Sequence, residues 1–237
     1  DDALTVPAIS AQGTYMYTYH APDITSADLS SATVLGEYAF AFCHELKSVT
    51  LSDAITEIKP FTFNDCEKLQ SINLSKVATI GESAFSECES LTSVDLSSAT
   101  SIDKYAFVYN KALQSVTFQA QPKAETEEET VEIAIGEGAF SYCDKLTTIT
   151  NMGALTDIGS YAFAHSALTK ADLTSAVKVG DHAFMKEKYT DFEVTFGTAL
   201  ETLGDNPFAM CVLDNFTQSV VTEFNGKEYV ENIDTFD

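Results

Sequence analysis

Residues 80–96 read IGESAFSECESLTSVDL, and the order of residue types in this stretch decides the fold. An aliphatic-Gly step, Ile80-Gly81, leads to Ala84-Phe85, then to Cys88 and Leu91, and ends in a run where Val94 and Leu96 alternate with Ser93 and Asp95. Alternation around a β-branched centre is the pattern of a half-buried strand. The same order recurs on both sides. Ala-Phe returns as Ala39-Phe40, Ala106-Phe107, Ala139-Phe140, Ala162-Phe163 and Ala183-Phe184, with Thr62-Phe63 and Pro207-Phe208 as variants. The eight phenylalanines lie 23, 22, 22, 33, 23, 21 and 24 residues apart, so one unit carries an insertion.

Further columns keep step. Five residues before each Phe stands a bulky aliphatic: Leu35, Ile58, Ile80, Ile102, Ile135, Ile158, Val179 and Leu203. Gly follows it in six units and reads as a turn. The alternating runs LKSVTL, LQSINL, LTSVDL, LQSVTF and LTTITN place Val49/Leu51, Ile72/Leu74, Val94/Leu96, Val116/Phe118 and Ile149 inward, with Asn151 next in the inward series. Weaker copies sit at Ala27/Leu29, Ala171/Leu173 and Val194/Phe196, and a last trace at Phe216. A unit of this size cannot bury its own apolar face, but stacked on its neighbours it forms a continuous core. One strand per unit gives a parallel sheet, and eight units at strand spacing a rod of about 40 Å. The Ala/aromatic segment of each unit, such as EYAFAFCHE, reads as one or two helical turns. Residues 24–213 hold the repeats of a single domain, the Glu-rich insertion 119–132 reads as a solvated excursion or small hairpin, and 1–23 and 214–237 read as caps. Tyr15, Tyr17 and Tyr19 suit a capping strand.

Composition narrows the function. Thirteen basic against 36 acidic residues among 237 give a net charge of −23, which argues against nucleic acid and anionic membranes as partners. No apolar run approaches the 18 residues of a membrane span. A start at Asp1 without a signal segment reads as a trimmed or mature form. Cys43, Cys66, Cys88, Cys143 and Cys211 all fall three residues after the column Phe. That periodicity matches no metal-ligand spacing and reads as a ladder of small buried side chains. His20, His44, His165 and His182 share no slot with an orienting acid, and no nucleophile-elbow, zinc-helix, phosphate-loop or dinucleotide motif is present. The chain is therefore read as non-enzymatic, with no cofactor and no metal. The surface left for recognition is the outward side of the strands, with Ser48/Thr50, Ser71/Asn73, Ser93/Asp95, Ser115/Thr117 and Thr148/Thr150, continued by Lys170/Asp172 and Glu193/Thr195.

These columns resemble the BspA-type leucine-rich repeat, whose unit runs I-G-x-x-A-F-x-x-C-x-x-L-x-x-V-x-L. The resemblance covers residues 24–213 and implies an α/β solenoid, a right-handed superhelix with a parallel β-sheet and about eight repeats of 22–23 residues. It also implies a secreted or cell-surface protein that adheres to host or matrix protein, here a monomer binding through the sheet face. Glycan binding is the alternative, favoured if Tyr17, Tyr19, Tyr109 or Tyr189 cluster in a groove. A structural spacer is the third reading.

Overall fold

The computed structural model describes residues 23–120 and 131–213. The expected caps apart from Asp23, the capping-strand tyrosines, Phe216 and most of the Glu-rich insertion lie outside the described residues. Within them the chain winds into stacked coils, each built from a short strand, a Phe-centred segment and a longer strand. The short strands Glu57–Ile58, Thr79–Ile80, Ser101–Ile102, Ala134–Ile135, Asp157–Ile158, Lys178–Val179 and Thr202–Leu203 form one seven-stranded parallel sheet. The longer strands pair in parallel in three blocks. Ser26–Leu29, Ser48–Leu51 and Ser71–Ile72 make the first, Ser93–Leu96, Ser115–Phe118 and Thr148–Thr150 the second, and Lys170–Leu173 with Glu193–Phe196 the third. Register follows the repeat: Val94 faces Val116 and Val116 faces Ile149.

Except at Leu35, the aliphatic of each aliphatic-Gly step lies inside a strand, and the chain turns only after it. The glycines of this column do not have positive φ. They serve close approach instead: a Cβ on Gly180 would stand 2.4 Å from the backbone nitrogen of Ser160 in the preceding coil.

The Phe-centred segments are not helical, which corrects the expected helical turns and leaves the α of α/β with little content. The single helical element among the described residues is a 3₁₀ turn, Met152–Ala154. Two residues before and two after most of the column phenylalanines the backbone is left-handed, as at Tyr38 (φ 57°) and Phe42 (φ 62°) around Phe40, or Tyr105 (57°) and Tyr109 (60°) around Phe107. A left-handed residue breaks the run of right-handed dihedrals that a helix needs and costs an L-residue about 1–2 kcal/mol. Hydrogen bonding compensates. Alternate amides leave the segment and reach the next coil: Ser83, Phe85 and Glu87 donate to the carbonyls of Lys104, Ala106 and Val108, at 3.1, 2.8 and 2.9 Å. The amides between them close tight turns, with Ala84 donating to Gly81 O and Ser86 to Ser83 O. A helix would satisfy these amides within one coil and leave the coils unjoined along this side.

The eight column phenylalanines form one continuous stack. From Phe40 to Phe208 neighbouring ring centroids are 5.1–5.4 Å apart and the planes lie within 13° of parallel. The long unit does not interrupt it: Phe107 and Phe140 stack at 5.1 Å and 5°, and Ile102 stays in register with Ile135. The coils on either side of the insertion therefore stack directly on one another. Beyond residue 185, where the pattern loosens, stacking persists through Phe208 and Thr190–Asp191 pairs with Cys211–Val212. Asn151 departs from its expected inward position. It is left-handed (φ 61°), exposed, and donates its side-chain amide to Phe118 O at 2.8 Å, while Met152 is buried in its place.

Candidate functional site

The outward strand residues stand where the alternation puts them. Ser48, Thr50, Ser71, Asn73, Ser93, Asp95, Thr148 and Thr150 are exposed, and Ser115 and Thr117 are half-buried between neighbouring strands. Register brings Ser48 beside Ser71, and aligns Ser93, Ser115 and Thr148 in one row and Asp95, Thr117 and Thr150 in another. The parallel pairing breaks between Ser71–Ile72 and Ser93–Leu96, so the ten residues form two blocks. Asn73 and Asp95 also have structural partners. Asn73 Oδ1 accepts from the Ser75 amide at 3.1 Å, and Asp95 Oδ1 from the Ser97 amide at 3.0 Å. Asp28 and Asp172 do the same at the ends of their strands. Side chains that turn the chain in this way satisfy backbone donors that would otherwise need water.

The cysteine column is buried at four positions and half-buried at Cys211, and none of the five is joined in a disulfide. Each of four thiols points at the carbonyl of a column Phe one coil earlier: Cys66 at Phe40, Cys88 at Phe63, Cys143 at Phe107 and Cys211 at Phe184, with Sγ–O distances of 3.2–3.4 Å. Asn110 holds the same slot and donates Nδ2 to Phe85 O at 2.7 Å. Four of the cysteines and Asn110 thus use this slot to donate a hydrogen bond from coil to coil. Burial pushes the Cys43 thiol up to about 12 and raises that of Cys143, and the neighbouring Cys88 thiol together with burial raises Cys66. These thiols stay protonated, and a nucleophile or metal ligand requires the thiolate.

A second surface was not singled out in the sequence. The left-handed positions flanking the phenylalanines carry aromatic side chains that stack from coil to coil. Tyr38 lies on Phe61 (4.7 Å, 4°), Tyr109 on Tyr142 (4.8 Å, 18°), Tyr142 on His165 (4.3 Å, 14°) and Tyr161 on His182 (5.0 Å, 6°). Tyr109 thus joins an aromatic row, although with Tyr142 and His165 and not with the tyrosines named beside it. Tyr189 is 67% exposed and makes no ring contact among the described residues, and Tyr17 and Tyr19 lie outside them. Between the two rows lies a shallow cleft of about 470 Å³, walled by Tyr105, Tyr109, Tyr142 and Tyr161 with Val108 and Met185 also lining it. The signal was present as Tyr or His two residues from Ala-Phe's ring, as in KYAFVYN and SYAFAHS, but a helical reading sends those positions elsewhere.

Among the described residues one trio has the donors for a cation: His44, Asp65 and Glu67 bring ligand atoms within 4.8 Å of one another. His44 Nε2 and Asp65 Oδ2 are already bonded at 3.1 Å, and His44 is half-exposed. A solvated inter-coil pair accounts for this geometry. Lys186 is buried, donates to Ser166 O at 2.9 Å and lies 5.1 Å from the Phe192 ring centre, and burial lowers its ammonium to about 8.

The fold has relatives of known structure. A leucine-rich cell-surface protein of Faecalibacterium prausnitzii A2-165 is 24% identical, with a TM-score of 0.51 over 89% of this chain and 47% of that protein. The leucine-rich repeat protein of T. pallidum is 25% identical over 60% of this chain and 63% of its own length, with a TM-score of 0.49. The chain therefore spans less than two thirds of either protein. No curated protein is significantly similar to it in sequence. The repeat pattern of the BspA type leucine-rich repeat region matches in six copies, over residues 13–128 and 125–232. With its columns in register from the first described coil to the last, the chain belongs to the BspA-type leucine-rich repeat family.

Proposed function

We propose that this chain is a non-enzymatic interaction module of an extracellular or cell-surface protein, adhering to host or matrix protein through the strand face. The observation that carries the reading is the regular polar surface of Ser93/Asp95, Ser115/Thr117 and Thr148/Thr150, set in parallel register on a stiff stacked core. The F. prausnitzii relative is a leucine-rich cell-surface protein, which supports the location. Among the described residues no helix is long and apolar enough to cross a membrane, so a surface location would rest on an attachment other than such a helix in these residues. A plain spacer has no use for exposed aromatic rows, since large exposed apolar patches mark interaction sites.

The test is capture of host-cell and matrix proteins on the immobilised, folded chain, in parallel with a variant carrying Ser93→Arg and Thr117→Arg on the strand face. Binding by the native chain and loss in the variant supports the reading. Absence of any captured protein with the fold intact, or equal capture by the variant, overturns it.

A further inference from the structure

One position in the aromatic rows carries no side chain at all, and the chemistry around it points to a specific kind of ligand. In the row two residues before the phenylalanines, every coil but one carries a side chain, and the exception is Gly138 (φ 58°). Tyr105 leans into the vacated space: a Cβ on Gly138 would meet its Cδ1 and Cε1 at 2.7 Å. Tyr105 is held there by its hydroxyl, which donates to Glu137 Oε1 at 2.7 Å. On the far side, Tyr161 stacks one face on His182 and has no ring on the other among the described residues. The Tyr105 ring thus covers Gly138, which is buried, and Tyr161 stands on the next coil. Tyr161 and the Glu137 carboxylate both line the cleft, so a flat group entering it meets an aromatic ring beside a carboxylate.

Charge decides what flat group fits. Glu137 is the one acidic residue lining the cleft, and no lysine lines it. Its second oxygen has no hydrogen-bond or ion-pair partner among the described residues. Glu82 close by is already paired with Lys104 at 3.2 Å. The chain as a whole carries −23, and all thirteen of its basic residues are lysine, so it has no guanidinium of its own. The other polar groups lining the cleft are the hydroxyls of Ser83, Ser141 and the four tyrosines and the His165 ring, so Glu137 supplies its one carboxylate. A guanidinium wants what is present: an aromatic face, a carboxylate in reach and an apolar surface for its methylene stem.

We propose that the cleft at Gly138 receives an arginine side chain of a basic partner segment, stacked on Tyr161 and paired with Glu137, with its stem along Val108 and Met185. This surface lies on a different side of the coil from the strand rows, and the proposal stands whether or not those rows bind.

The test is NMR titration of the full chain at low ionic strength with acetyl-Gly-Arg-Gly-amide. The same titration is run with the lysine and citrulline analogues and with methyl glucoside and methyl galactoside. The expected result is a saturable shift of Gly138 and of the Tyr105 and Tyr161 rings with the arginine peptide. Lysine should bind more weakly, and the isosteric but uncharged citrulline about tenfold more weakly. Glu137→Gln and Tyr161→Ala should each weaken the arginine peptide by about fivefold, the size of an exposed cation–π or carboxylate contact, while Tyr189→Ala, outside the cleft lining, changes nothing. Tyr161 is 39% exposed, and an unchanged amide spectrum elsewhere verifies that its variant is folded. Equal binding of arginine and citrulline, saturable binding of a glycoside in place of the peptides, or no shift at Gly138 with any probe would each overturn the proposal.

Discussion

Replacing Phe85 with alanine tests whether the ring stack holds the solenoid together. Phe85 is fully buried and lies between Phe63 at 5.2 Å and Phe107 at 5.1 Å, nearly parallel to both. Neither neighbour is free to fill the gap. The amide of Phe63 is tied to Ala84 O at 2.8 Å and that of Phe107 to Ala139 O at 2.7 Å. A cavity that cannot collapse places the loss at the upper end of the usual range for Phe→Ala, about 4–5 kcal/mol. Phe85→Leu restores part of the volume without a ring and should lose less. Urea unfolding followed by circular dichroism and tyrosine fluorescence measures both, the chain having no tryptophan. Because each coil touches only its neighbours, weakening one interface in mid-stack should also divide the transition into two steps. A loss under about 1 kcal/mol with a single unchanged transition would refute the reasoning, since a ring so confined cannot be removed that cheaply.

Native-state thiol labelling should leave Cys43, Cys66, Cys88 and Cys143 unmodified, with Cys211 the first to react; rapid labelling of all five would contradict their burial. Cys88→Ser keeps a donor to Phe63 O and should cost less than Cys88→Val, which leaves that carbonyl without its thiol partner and should cost about 1–3 kcal/mol; urea midpoints rank the two, and the reverse order would sink the donor-slot account. Lys186 has a folded value of about 8 against an ordinary 10.5, so its charge opposes folding fully below pH 8, and the penalty fades as pH rises to 10.5. Lys186→Met removes the penalty at every pH, so its stability gain relative to the native chain should shrink by about 1–3 kcal/mol between pH 7 and 10.5; a gap that stays constant with pH would show that the ammonium is not strained. Asp95→Ala should cost about 0.5–1 kcal/mol through the Ser97 turn, a thermal shift that a purely ligand-facing carboxylate would not give.

The columns that define the core were legible because the repeat states them eight times, so that a variant such as Thr62-Phe63 cannot hide the Phe behind it. What one unit leaves ambiguous, periodicity resolves, and the strand rows through Ser93, Ser115 and Thr148 followed directly. The Phe-centred segments were misread for a definite reason. Ala and aromatic side chains suit a helix, and nothing in the letters YAFAF reports that Tyr38 and Phe42 sit at positive φ. The aromatic rows were lost with that error, because only the left-handed geometry brings Tyr109, Tyr142 and His165 into one line. Asn151 shows the limit of alternation: it occupies an inward place in the series, but its amide takes Phe118 O and the chain leaves the strand there.

The hydrogen bonds of the Phe-centred segments give that side of the stack a polarity. At each interface from Tyr38 to Ala209 the three amides of one coil donate toward the C-terminal neighbour and none runs the other way. Peptide dipoles so aligned add, each about 3.5 D, as they do in a helix but with the opposite sense. Along this side the stack therefore presents carbonyls at its N-terminal end and amides at its C-terminal end, whereas amides at the strand ends, such as Gln70 to Lys47 O and Gly81 to Ile58 O, donate the other way. A segment that closes the far end over the Phe-centred side must supply acceptors there, and one that closes the near end must supply donors. The two closures are not interchangeable, and coils can be added or removed by engineering only if this direction is kept.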